Sequence, residues 1–479
     1  MAVMLTGLSV SSQEARMKTL APIVAPALIA VFGSAAHAAP QITHISVFAT
    51  GAAVNGTAAD SVTTGNGSVW VEYGNNADST GAGGSSTIVQ YNKRTGAIQF
   101  QYSIAGSVDG LKIDPVTGVV WALQNQDGNS TLSLIDPITH TVSGPLLYES
   151  PPYVYGPTSA RGYDDVAFLG DRVFLSYTNP VNPTDPILQR LNQGHNPIGT
   201  LTTTDILTAQ QTGTLPDTDS LKSTPNGSLV LTAEGDGPGS GSTGLFTLIG
   251  NPGTPSQTVT NVVVTDGMGN NIVGMDDVVF PGATAGTLYV ADGTASIVYA
   301  ITLADLDPNA PIASLGSFHE LGIVDLATGV ATPLVTGADL PNGTFTGPHG
   351  MDFIPDEALE IKVHAVPWTL WPPNGNMVKV TVFGRIADAA SGVNENSAQF
   401  ALVDPHGGVQ TRGAVTLDRF GGYVFTTSLQ TSGLGSDRDS RTFMVTVSAV
   451  DSAGNQSFSS TAVIVPRDYW SEFGTNVLP

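Results

Sequence analysis

Five aspartates recur at one place in a repeated phrase. Asp60, Asp109, Asp164, Asp219 and Asp276 each open a short apolar run, and His349 holds the same place in a sixth, degenerate copy. Carboxylates gathered from several strands into one funnel either raise one another's pKa values or recruit a cation. Hard oxygen donors favour calcium, or another divalent cation such as magnesium, over zinc. The five aspartates are therefore candidate metal ligands. The competing reading is that each caps a turn by bonding the backbone two residues on, and the residues alone leave both open. His349 and Asp276 are the candidates to move a proton, with His349 as general base or as a ligand beside the metal. Glu72, Asn125, Glu234 and Asp292 close the second strands, where they either wall the same cavity or sit in solvated loops.

Other chemistry is absent or weak. There is no cysteine, which removes thiolate metal sites, Cys nucleophiles and disulfides together. No Gly-x-Ser-x-Gly elbow occurs, and His319-Glu320 lacks the second histidine of a zincin helix. Asp305-Leu306-Asp307-Pro308-Asn309 mimics the opening of a calcium loop, but Ala310 replaces the glycine that such loops require. With 17 Lys+Arg against 40 Asp+Glu the formal charge is −23, which argues against nucleic acid and against anionic membrane surfaces.

The elements that must position the aspartates follow from their spacing. Val108–Pro115 followed by Gly118–Leu123 reads as strand, turn, strand, and the same phrase surrounds each anchor. The anchors from Asp60 to His349 lie 49, 55, 55, 57 and 73 residues apart. A period near 50 with four short strands per unit marks a β-propeller. Six blades is the reading, with five or seven as alternatives, because residues 304–347 read as an insertion. Met275–Phe280 is expected to pair with Thr287–Val290. The unmatched opening strand, Ile42–Val47, is expected to close the ring against the last blade and so remove an exposed edge. The chain is thus read as all-β, with a propeller over residues 41–357.

From Leu359 the pattern changes to longer alternating strands, which describe an immunoglobulin-like β-sandwich over residues 358–467, followed by a tail at 468–479. Here Leu370-Trp371-Pro372-Pro373-Asn374, followed by Met377-Val378-Lys379-Val380-Thr381-Val382, resembles the bacterial surface Ig-like modules of the "LWPPN" type. Gly375-Asn376 departs from the His-Lys of those modules. The blade phrases bring a second resemblance. Asp109-Gly110-Leu111 with Trp121-Ala122, and Asp276-Asp277-Val278 with Leu288-Tyr289-Val290, are similar to blades of the gluconolactonase/regucalcin-like and NHL-type propellers. That resemblance implies a divalent cation, usually calcium, in the central channel, polarising a lactone or ester carbonyl. It implies Asp60, Asp109, Asp164, Asp219, Asp276 and His349 as the positions facing it. The Glu-x-Pro opening of gluconolactonases is missing, and Asp60 stands in its place.

At the N-terminus, Met17-Lys18, an apolar stretch from Leu20 to Phe32 and Ala36-His37-Ala38 read as a signal peptide over residues 1–38. A secreted or periplasmic bacterial protein is expected, without a membrane span. Two functions fit: a metal-dependent lactone or ester hydrolase, less readily a lyase, or a non-catalytic extracellular protein that binds a glycan, a small molecule or a protein partner. Propellers host both.

Overall fold

The computed structural model describes residues 39–466, apart from 150–161, 179, 181, 214–217, 234–243, 357–358, 389–392, 404–408, 432–439 and 452–455. The expected signal peptide, Glu234 and the tail lie outside the described residues. Among the described residues no helix is long and apolar enough to cross a membrane.

The protein is all-β, built from repeated four-stranded antiparallel sheets in the manner of a β-propeller. β1 (Gln41–Thr50) comes first in the chain and is used last. The first sheet is β2 (Ala59–Gly65), β3 (Ser68–Tyr73), β4 (Ser85–Asn92) and β5 (Ile98–Ala105). The second is β6 (Val108–Ile113), β7 (Val120–Gln124), β8 (Thr131–Asp136) and β9 (Thr141–Leu147). The third is β10 (Tyr163–Leu169), β11 (Arg172–Tyr177), β12 (Pro186–Leu191) and β13 (Thr203–Thr208). The fourth is β14 (Thr218–Ser223), β15 (Leu229–Ala233), β16 (Leu245–Gly250) and β17 (Thr258–Val263).

The next two sheets exchange strands, which corrects the sequence reading. β18 (Val278–Val279) does not pair with the segment that follows it. That segment, β19 (Gly286–Asp292) and β20 (Ile297–Ala304), belongs to the closing sheet. β18 pairs instead with β21 (Ile312–Leu315), and β22 (Glu320–Val324) and β23 (Ala331–Val335) complete that sheet. The stretch read as an insertion therefore supplies three ordinary strands. β24 (Pro348–Pro355) then returns to pair with β19, and β1 pairs with β20 in the order β1-β20-β19-β24. The 73-residue gap before His349 is the length of this exchange. The closing role expected of the opening strand is what β1 performs, on the outer side of the last sheet.

The strands nearest the centre touch in cyclic order: β2 with β6, β6 with β10, β10 with β14, β14 with β18, β18 with β24, and β24 with β2. Each apolar cluster straddles two neighbouring sheets. Trp70 and Ile88 meet Leu111 and Val120, for example, and Phe174 and Leu188 meet Leu221 and Ile249. Strands such as β3 are consequently buried on both faces, whereas the outermost β9 is largely exposed. Burying each large apolar side chain contributes about 1.5–3 kcal/mol, so the sheet interfaces carry most of the stability.

After the sheets come two more, packed over one core. β25 (Glu360–Val366), β26 (Met377–Ala387) and β29 (Gly422–Gln430) form one; β27 (Gln399–Val403), β28 (Val409–Ala414), β30 (Arg441–Val450) and β31 (Gln456–Val465) form the other. Val380, Val382, Tyr423, Phe443 and Val445 fill the space between them. The alternation places strands at Leu359–Val366, Met377–Phe383, Gln399–Val403, Gly422–Thr427, Thr442–Val450 and Ser459–Val465; all six coincide with these, and β28 is the addition.

Candidate functional site

Each central strand starts with the repeated phrase, and four of them carry the same irregularity. β2, β6, β10 and β14 bulge between their first and fourth residues, at Ala59/Val62, Val108/Leu111, Tyr163/Val166 and Thr218/Leu221. A bulge inserts an extra residue and breaks the alternation of faces. Asp109 and Lys112, three apart, therefore both line the channel, as do Asp219 and Lys222. Hydroxyls from the second strands hold the irregular backbone: Ser176 Oγ accepts from Asp165 N–H, Thr232 Oγ1 from Ser220 N–H and Ser314 Oγ from Asp277 N–H.

The result is a small open cavity lined by Asp60, Asp109, Asp164, Asp219 and Asp276, with room for about 30 Å³. All five predicted carboxylates converge on it. They do not form a uniform ring. His349 Nδ1 lies 3.0 Å from Asp276 Oδ1 and 3.3 Å from Asp60 Oδ1, making one half a carboxylate–imidazole–carboxylate group. In the other half, one oxygen from each of Asp109, Asp164 and Asp219 lies within 4.8 Å of the others.

The two halves differ in protonation. The Asp276 charge, against an opposing effect of burial, pushes His349 up to about 12, so the ring is an imidazolium. Burial alone would raise Asp60, but the hydrogen bond and charge of His349 hold it below the usual carboxylate range. Burial raises Asp276, and His349 only partly offsets this. Asp109 is well above the usual range, first through burial and then through the charge and hydrogen bond of Asp164, with Asp60 and Asp219 adding to it.

A second tier, one residue deeper, was not legible in the repeated phrase. Lys112 Nζ lies 3.2 Å from Asp165 Oδ2, and Lys222 Nζ lies 3.0 Å from Asp277. Asp165 also accepts from Leu221 N–H, and Asp277 from the Ser220 hydroxyl and Met351 N–H. This tier stitches the central strands and plugs the channel below the cavity. No Lys or Arg stands at the anchor positions themselves, but Lys112 and Lys222 stand three residues after Asp109 and Asp219, where the bulges turn them inward. Gly110 and Gly350 stand in the same tier, where an added Cβ would fall 2.4 Å from the Asp164 carbonyl oxygen and 2.6 Å from that of Asp60.

The expected cavity walls fare less well. Glu72 is fully buried rather than lining the cavity, and it stands where Ser176 and Thr232 stitch other sheets. Burial and the nearby Asp60 push it well above the usual range, and the Ser86 hydroxyl offsets this in part. Asp292 instead anchors a loop, accepting from Thr346 N–H and Oγ1 and from Ala295 N–H. Asn125 donates to the Asn129 carbonyl oxygen in its own loop. Asp307 caps a turn at Asn309 N–H.

No protein-family model and no curated protein sequence matches the chain. Among solved structures it is similar to a hydrazine synthase of Kuenenia stuttgartiensis (TM-score 0.31, 11% identity), over 56% of this chain and 64% of that one. A chain of a nidogen/laminin complex matches at TM-score 0.31 and 11% identity, over 56% of this chain and 94% of that one. A luciferin-regenerating enzyme matches at 0.30 and 10%, over 62% and 76% respectively. Likeness at this level assigns no residue and no activity.

Proposed function

We propose that the chain is a secreted, six-bladed β-propeller with an immunoglobulin-like sandwich, and that its channel mouth binds a divalent cation, calcium before others, for ligand recognition rather than catalysis. The observation that carries this reading is the Asp109–Asp164–Asp219 triad. Oxygens that share a calcium at about 2.4 Å must lie within about 4.8 Å of one another, and these do. The lysines of the cavity are engaged by Asp165 and Asp277, and His349 by Asp60 and Asp276. A cation would offset the burial and the neighbouring carboxylate charges that together raise Asp109. Calcium takes six to eight oxygens, so positions left toward the open mouth would accept hydroxyl or carboxylate oxygens of a glycan or small molecule.

The hydrolase reading, with His349 and Asp276 moving a proton, is less well supported. An imidazolium held between two carboxylates has no free base to offer. Calorimetric titration of metal-stripped full-length protein with calcium, followed by a lactone and ester panel, separates the two. Binding abolished in Asp109→Asn without turnover supports recognition. Turnover that needs both calcium and His349 overturns it, and absence of any calcium binding removes the cation site altogether.

A further inference from the structure

The far end of the channel, beneath the two ion pairs, opens into a wider cavity of about 240 Å³. All six central strands reach it, because each runs from the aspartate mouth toward the opposite face and brings its later residues there. Ile113, Phe168 and Phe280 give it apolar walls. Phe168 is held edge-on against Trp121 and stacked on His195, so that wall is fixed. Asp352 also lines the cavity, but its carboxylate is taken up by Thr64 N–H and Oγ1 and by Phe353 N–H.

Lys112 and Lys222 form the partition between this cavity and the aspartate mouth, since both side chains line the two of them. An ammonium offers three N–H donors. Lys222 Nζ gives its own to Asp277 and, at 3.3 Å, to the Met351 carbonyl oxygen. Lys112 Nζ has, among the described residues, only the Asp165 contact at 3.2 Å, and its side chain is 16% exposed. Burial holds Lys112 below the usual lysine range, with Asp165 offsetting only part of the effect. A mostly buried ammonium short of acceptors gains from any ligand oxygen that reaches it.

We propose that this end of the channel is a second binding site, separate from the calcium site, for a small apolar molecule, neutral rather than cationic, whose acceptor oxygen takes an N–H of Lys112 while its body packs against Phe168 and Phe280. Drug-sized sites run to about 300–1,000 Å³, so a cavity of about 240 Å³ suits a single substituted ring. A cationic group would face two ammoniums there. Among the described residues its only carboxylate would be Asp352, which already holds three donors.

Full-length protein in chelator, titrated with benzamide and with benzylamine and followed by ligand-observed NMR and calorimetry, tests this. Benzamide should bind saturably, and benzylamine at least tenfold more weakly. Lys112→Met should weaken benzamide at least tenfold. Ser223→Trp, at an exposed position on the cavity rim, should block the site without lowering the melting temperature, and it carries the test if Lys112→Met misfolds. Benzamide that fails to bind, binds no better than benzylamine, or binds undiminished to either folded variant overturns the proposal.

Discussion

His349 Nδ1 lies 3.0 Å from Asp276 Oδ1 and donates a proton to it, so a histidine from the last central strand neutralises a carboxylate two residues ahead of the one before. Removing the imidazole by His349→Leu leaves Asp60 and Asp276 facing each other uncompensated. With the His349 side chain 39% exposed, solvent screens part of the loss, and a destabilisation of about 1–2 kcal/mol is expected. Denaturant unfolding measures it, and no change would mean the contact is incidental. The ring ¹⁵N shifts should report an imidazolium at pH 9.

Stability should fall with rising pH in the metal-free protein. A histidine whose folded pKa is raised stabilises fully below its unfolded value near 6.5, and the contribution is lost progressively as pH climbs toward about 12. Asp109, also raised when folded, acts in the same direction: its ionisation above the usual carboxylate range costs stability. The melting temperature of the propeller should therefore rise on going from pH 8 to pH 5.5. A profile sloping the other way would contradict the protonation states described above.

Calcium should flatten the Asp109 part of that slope and raise the melting temperature. Linkage gives about 2.7 kcal/mol at a hundredfold excess over Kd. Asp109→Asn and Asp219→Asn should each reduce the response, and Asp307→Asn, whose carboxylate caps a turn, should not. Scanning calorimetry with and without chelator decides the point; transitions unmoved by chelator would leave the triad as turn chemistry.

Lys222→Met removes the ammonium from Asp277, whose carboxylate is fixed by Ser220, Val278 and Met351 and cannot turn away. Breaking a buried ion pair from one side costs about 3–5 kcal/mol. Chemical denaturation should show a loss of that order, and a loss under about 1 kcal/mol would count against the plug.

Deleting residues 39–50 strips β1 from β20 and bares the edge of the closing sheet. Exposed edges pair with other chains. Size-exclusion chromatography should show oligomers or aggregates, and a stable monomer would show that the closing strand is dispensable.

The sequence by itself determined the all-β composition, the period that places five aspartates and a histidine at equivalent strand starts, and the change of pattern that begins the sandwich. Those features were legible because each repeats a local pattern: alternation within a strand, or a phrase recurring about every 50 residues. Only the tertiary structure decided which strands pair around β18. That strand is two residues long, and 32 residues separate it from its partner, including an intervening hairpin that pairs elsewhere. Tertiary structure likewise decided that Lys112 and Lys222 face inward, since at three residues from Asp109 and Asp219 a regular strand would turn them away. The bulges reverse that alternation, and in β10 and β14 the Ser176 and Thr232 hydroxyls reach across from neighbouring strands to hold them. The split of the aspartates into a histidine-bound pair and a triad of carboxylates has the same origin. Charge compensation depends on distances of a few ångströms across the channel, and these are set only when the last strand closes the ring beside the first.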